Sequence, residues 1–454
     1  MFEIVDKALA IIFSLLIFAQ AYLIRRVVGT YIFPAALLSL AWFFYTFIPL
    51  VVLFFVPVNP ISVLYILVCV SAFSLSSLPF NWTQAYKTNT LKNFNDFSKF
   101  NSKFIHYLFY VSSFSSIIFS TISISSYDFD LYSILFNLLE TSGQFAALRG
   151  HGHLEQKIWG SIAIFFTYAT PILGGFVYCH QNNIIKKITI LFVSFFPSIY
   201  FMLTQSAKLI VFFTIGFYFA SVLLMKIYTN KLSLFSWQFI LRSIGFALLL
   251  LPLISVSLLS RGGIADLNDA EKVLNQLFSS FSSYAFAQLY AFSDFFSFYL
   301  GMNSEVNYLN DFNAYGYYTF TSILNLFGGD KIFPPGIFEE YYFYEDVITT
   351  NIFTIFRGLI YDFGGVGVII FMFAIGLVSH SFFYLLLRYR NSWMACIVFI
   401  VSIVFFQGTY LNSIFMARYM YLILIAIFAI LWINNIFYVG KFPKASKLVR
   451  LIQL

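Results

Sequence analysis

Long apolar runs recur from one end of the chain to the other, and most of the polar connections between them are short. A helix needs about 20 apolar residues to cross the hydrocarbon core. Only helices and closed barrels satisfy their backbone there, and these runs are too long and continuous for barrel strands. They predict about eleven spans, over 8–24, 32–55, 61–80, 104–123, 158–179, 188–204, 208–226, 236–259, 364–387, 392–410 and 417–438. The first run, Ala8 to Leu23, reads as an uncleaved span: Glu3 and Asp6 precede it, and Arg25 and Arg26 stand where a cleavage site would need small residues. The expected architecture is an all-α polytopic membrane protein, with residues 1–454 as a single integral membrane domain.

One connection, 260–363, breaks the pattern and is long enough for a small structured cap. Asn268 and Glu271 have the spacing of a capping box, and Leu274, Leu277, Phe278, Phe281 and Tyr284 follow at helical intervals. This predicts an amphipathic helix lying on the bundle or at the interface. A second short helix, Tyr317 to Phe327, is stopped by Gly328 and Gly329, and Pro334, Pro335 and Gly336 force an irregular turn. The stretch from Glu339 to Asp346 is acidic and rich in tyrosine. Stacking on sugar rings and interfacial anchoring account for those tyrosines equally well.

Composition and charge turn this pattern into an oriented one. With 60% hydrophobic and 10% charged residues, the 454-residue chain has too little polar surface to coat a soluble globule. The 26 lysines and arginines against 19 carboxylates must then be read loop by loop, not as a nucleic-acid surface. Arg25 and Arg26; Lys87, Lys92, Lys99 and Lys103; Lys186 and Lys187; Lys226 and Lys231; Arg388 and Arg390; and the tail with Lys441, Lys444, Lys447 and Arg450 fall in alternate connections. The expected location is a bacterial inner membrane, with a periplasmic N-terminus and a cytoplasmic C-terminus. The acids from Asp128 to Glu155 and from Asp266 to Asp362 then lie outside. A missed or half-inserted helix in 126–156 would change that parity. Cys69, Cys179 and Cys396 have no paired spacing and indicate neither redox chemistry nor a metal. The 62 phenylalanines and 31 tyrosines fit genomic base bias as well as function.

The sorting rule does not call for four cations on the outer side: Lys208, Arg261, Arg357 and Arg418, each at a helix end. A guanidinium presents a planar fork of donors that suits phosphate oxygens, and charge at membrane depth is costly enough to suggest a role. Snorkelling to the headgroups is the plainer account of any one of them. Together they point to an anionic substrate group at the outer membrane edge. A second cluster holds Arg149, His151, His153, Glu155 and Lys157. Its two imidazoles suit a general base near neutral pH or, with a third ligand that the sequence does not supply, a metal. Asp128 and Asp130 form a D-x-D triplet of a kind that arises easily by chance. Ionisable groups inside the spans are few, chiefly His106, His380 and Arg242, and the missing midplane carboxylates argue against a proton relay. There is no P-loop, and no G-x-G-x-x-G between strand and helix, so no cofactor is expected.

From the sixth span onward the chain resembles the Wzy-type polymerases of O-antigen and related oligosaccharide repeat units. The resemblance rests on topology and short motifs. Asn351-Ile-Phe-Thr-Ile-Phe-Arg357, followed by Tyr361-Asp-Phe-Gly364 and Gly367, looks like the family's stretch after its large periplasmic loop. Arg261 and Arg418 stand where the family carries arginines, Lys208 stands near its Ser-Arg or Thr-Arg step, and Arg149 with Gly160 fits its R-x10-G pattern. The resemblance implies a fold like that of GT-C membrane glycosyltransferases. It implies transfer of a growing glycan from undecaprenyl pyrophosphate to the non-reducing sugar of an incoming lipid-linked unit, with a chain-length regulator as a possible further partner. Arg261 and Arg418 would then stabilise the departing pyrophosphate, assisted by Arg357, Lys208 and Arg149. Asp362, His151 and His153 are candidates for the base. An O-antigen ligase is the nearest rival. A lipid-linked oligosaccharide flippase is the rival of another class, although the chain has no visible repeat and carries its charges at one face.

Overall fold

A computed structural model describes residues 2–90, 103–127, 129–130, 132, 136–150, 158–234, 270–309, 314–324, 338–389 and 393–411, with isolated positions at 245, 252, 254–255, 429 and 432. In chain order the elements are α1 (Phe2–Val28), α2 (Pro34–Val52), α3 (Pro60–Leu75), α4 (Trp82–Thr90), α5 (Lys103–Ser125), α6 (Leu138–Gly150), α7 (Ile158–Cys179), α8 (Ile184–Gln205) and α9 (Lys208–Tyr228). They continue with α10 (Ala270–Ala285), α11 (Ala287–Tyr299), α12 (Tyr317–Leu324), the antiparallel hairpin β1 (Tyr342–Tyr344) and β2 (Ile348–Thr350), α13 (Ile355–Arg388) and α14 (Trp393–Gly408). Eight helices among the described residues are long and apolar enough to cross a membrane. The chain is therefore an all-α polytopic membrane protein, with one small hairpin among the described residues. The predicted spans 236–259 and 417–438 lie outside the described residues, isolated positions aside.

Local chemistry sets several helix ends. Asn59 accepts from the Ile61 N–H while Pro60 opens α3, and Asn183 accepts from the N–H groups of Ile185 and Lys186 at the start of α8. Ser206 adopts a left-handed conformation, φ 53°, that closes α8 before α9 begins at Lys208. The third predicted span, 61–80, is shorter in the structure: α3 has 16 residues, about 24 Å at 1.5 Å each. Turns after Leu75 cut it short.

The chain divides into two compact units. In the first (Met1–Pro79, Leu234–His380, Phe405–Met420), α1 packs on α2 and α3, and α11 packs on α2 and α3. Gln20 ties the three N-terminal helices: its Nε2 donates to Ser39 Oγ, Val70 O and Ser74 Oγ, and its Oε1 accepts from Ser71 Oγ. In the second (Phe80–Ser233, Ser381–Val404, Tyr421–Leu454), α7 packs on α5, α8 and α9. The approach is close. A Cβ on Gly175 would lie 2.6 Å from Ser221 Cβ, and one on Gly174 would lie 3.0 Å from Ser194 Cβ. Small residues let membrane helices meet in this way.

The predicted amphipathic helix is α10, beginning beyond Asn268, which lies outside the described residues. Its apolar Leu274, Phe278 and Phe281 face outward, and its buried side carries Ser282 and Ser283; Ser283 Oγ accepts from the Thr349 N–H of β2. The hydropathy pattern of 260–363 gives no sign of α11. That helix is buried on nearly every side, so it shows no polar face and no 3.6-residue period. The segment α12 matches the predicted start at Tyr317; Gly328, Gly329 and the Pro334–Gly336 turn lie outside the described residues.

Candidate functional site

The motif from Asn351 to Gly367 contains a break that shapes everything around it. Helix α13 starts at Ile355, nine residues before the predicted span, and Gly364 interrupts it at φ 68° and ψ 168°. That region is open to glycine and strained for other residues. The backbone groups freed at the break find two tyrosines. Gly365 N donates to Tyr299 Oη of α11 at 3.0 Å, and Tyr65 Oη of α3 donates to Gly365 O at 2.8 Å. Arg357 and Asp362 thus share a short helical segment that precedes the break.

Arg357 is 1% exposed. Its Nη2 lies 2.9 Å from Glu340 Oε1 and donates to Tyr361 Oη at 3.3 Å. Five aromatic rings surround the guanidinium, with centroids 3.8 Å (Phe338), 4.1 Å (Phe353), 4.8 Å (Tyr308), 5.1 Å (Phe295) and 5.5 Å (Tyr361) from Cζ. Such faces offset part of the cost of burying a cation. Nε and Nη1 are buried and have no hydrogen-bond partner. Glu340 Oε1 also accepts from the Leu309 N–H, and Tyr361 Oη donates to Leu309 O. Burial pushes the Glu340 carboxyl up, but the Arg357 charge and these hydrogen bonds outweigh it and hold the group below its ordinary value.

A second half-buried carboxylate supports the same assembly. Asp294 of α11 accepts from the Glu305 N–H and from Tyr308 Oη, fixing the ring that lies over Arg357. Burial raises its pKa despite those bonds. Asp362 instead caps the first turn of α12, accepting from the N–H groups of Tyr318 and Thr319 and from Thr319 Oγ1 at 2.6–3.0 Å. The Tyr318 ring stacks on Tyr361 at 5.3 Å, so cap and cage share a wall.

Of the predicted site residues, the structure brings together Arg357 and Asp362, both in the first unit. Lys208 opens α9 in the second unit, half-buried in the helix's first turn. Arg149 stands in the last turn of α6, in the same unit. Arg261, Arg418, His151 and His153 lie outside the described residues, as does Asp128 of the D-x-D triplet. His380, read as an intramembrane ionisable group, sits beside Phe33 and Phe73 with Nδ1 3.0 Å from Ser76 Oγ. No group of three metal-binding side chains occurs among the described residues.

Sequence reasoning missed Glu340, Asp294 and Lys7. Lys7, 2% exposed at the start of the first span, donates to Leu53 O and Tyr290 Oη. The acidic stretch beginning at Glu339 held the one available signal for Glu340, but nothing in it named Arg357 as the partner.

Comparison with models of protein families, with curated proteins and with solved structures returns no match.

Proposed function

We propose that the chain is a membrane glycosyltransferase of the inner membrane that polymerises lipid-linked oligosaccharide repeat units. In this reading about eleven spans place the N-terminus in the periplasm and the C-terminus in the cytoplasm, with 260–363 as a periplasmic loop. The observation that carries the reading is Arg357: a buried guanidinium with two unpartnered nitrogens, held at the junction of that loop and the next span.

The acceptor hydroxyl attacks the anomeric carbon of the donor glycan. The bond from that carbon to the pyrophosphate oxygen breaks, and undecaprenyl pyrophosphate leaves with the electron pair. Negative charge grows on the departing oxygens, so preorganised cations lower the barrier. Arg261 and Arg418 are assigned this role, with Arg357, Lys208 and Arg149 assisting. The hydroxyl proton passes to a base drawn from Asp362, His151 and His153. Asp362 accepts from the N–H groups of Gly316, Tyr318 and Thr319 and from Thr319 Oγ1, so it takes the hydroxyl proton by releasing one of these bonds.

The test is reconstitution. Purified protein in liposomes, given two lipid-linked repeat units and no nucleotide sugar, is expected to yield the coupled dimer and free undecaprenyl pyrophosphate. Translocation without coupling overturns the enzyme reading. Wild-type chain lengths from both Arg261→Ala and Arg418→Ala in a polymerase-null cell overturn the pyrophosphate assignment.

A further inference from the structure

A buried arginine that serves only to hold a fold has its donors occupied, because an orphaned buried N–H loses its water and gains nothing in return. Arg357 departs from that rule at Nε and Nη1. Its ion pair is also narrow: Glu340 meets Nη2 through Oε1, and Oε1 is shared with the Leu309 N–H. A phosphate facing the same guanidinium could engage two nitrogens in parallel and brings more charge than one carboxylate.

We propose that Glu340 is a resident counter-anion that closes the Arg357 site, and that an incoming phosphate or pyrophosphate group displaces it. Arg357 is 1% exposed and Glu340 12%, so the carboxylate forms the solvent side of the pair. Phe338, whose ring is nearest to the guanidinium, lies two residues before Glu340 on the same stretch leading into β1. Lifting that stretch removes the ion pair and the nearest ring together. Asp294 and Phe295 belong to α11, Tyr308 follows that helix, Phe353 lies just before α13 and Tyr361 within it, so they stay behind. The four rings left in place keep the cation tolerable while the site is open. The Asn351 Nδ2 bond to Phe338 O, at 3.3 Å, is long and gives way with the stretch. The ligand class rests on the reading of the chain as a pyrophosphate-dependent transferase; the displacement does not.

The experiment measures binding of inorganic pyrophosphate to the purified full-length protein in detergent, with phosphatidylglycerol micelles as a second arm. Glu340→Gln keeps the shape of the side chain and removes its charge. It is expected to bind pyrophosphate about tenfold more tightly than wild type, and pyrophosphate should raise its melting temperature more. Phe338→Ala leaves both charges in place and is expected to tighten binding in the same direction, which decides the matter if Glu340→Gln does not fold. Arg357→Gln should abolish the gain in either background. Binding that is unchanged or weaker in both variants, or a gain that survives Arg357→Gln, overturns the proposal. A gain seen with phosphatidylglycerol and not with pyrophosphate upholds the displacement of Glu340 and sinks the donor assignment.

Discussion

Both units bury hydroxyls and close glycine contacts, but they differ in the charge they bury beside them. The first carries whole charges inside: Arg357 against Glu340 within five rings, Lys7 on Tyr290 and Leu53 O, Asp362 on the first turn of α12. The second, apart from the half-buried Lys208, relies where described on glycines and hydroxyls. Gly174 and Gly175 of α7 lie against Ser194 and Ser221, and Ser116 Oγ meets Thr167 Oγ1 at 2.6 Å. Charges need partners of fixed geometry, so they order loops as well as helices; small residues need only close contact, which dispersion supplies. A region built by the first means can change state when an ion enters or leaves. The glycine and hydroxyl contacts of α7 carry no charge that could respond in that way.

The sharpest way to break the contrast is to remove one charge. Arg357→Ala strands a half-buried carboxylate and should cost about 3–5 kcal/mol, measured by unfolding in micelles. Arg357→Leu combined with Glu340→Leu should recover most of that loss; a double variant as unstable as the single one would refute the pairing. In the second unit, Gly175→Ala places a Cβ against Ser221 and should cost about 1–3 kcal/mol through overpacking, with Ser221→Gly restoring part of it.

Acid should separate the units as well. Glu340 has a folded pKa held below its unfolded value, so its contribution is complete above about pH 4.3 and is lost as pH falls through the lower folded value. Proteolysis at residues 338–350 should rise across that window in wild type and be insensitive to it in Glu340→Gln. The smallest effect belongs to a hydroxyl pair: Ser116→Ala should cost about 0.6 kcal/mol, the average for interhelical bonds in a membrane protein. A loss as large as that of Arg357→Ala would erase the distinction between the units.

Much of the helical series is readable without coordinates because lipid imposes one rule on every span: about 20 apolar residues, with the backbone bonded to itself. The runs at 104–123, 158–179 and 208–226 fall within a few residues of α5, α7 and α9, and the Asn183 and Asn59 caps are local. Helix α11 escaped because burial on nearly every side erases the period, and α3 was overestimated because apolar turn residues such as Leu78 look like span. Arg357 and Asp362 stood out as unusual residue types in an apolar chain. Their partners did not: Glu340 is 17 positions from Arg357, and Thr319 is 43 from Asp362. Sequence alone determined that the chain is an all-α polytopic membrane protein, since hydropathy is a property of each residue in turn. Only the tertiary structure decided that Arg357 meets Glu340 among five rings, because a cage exists only where distant segments converge on one point.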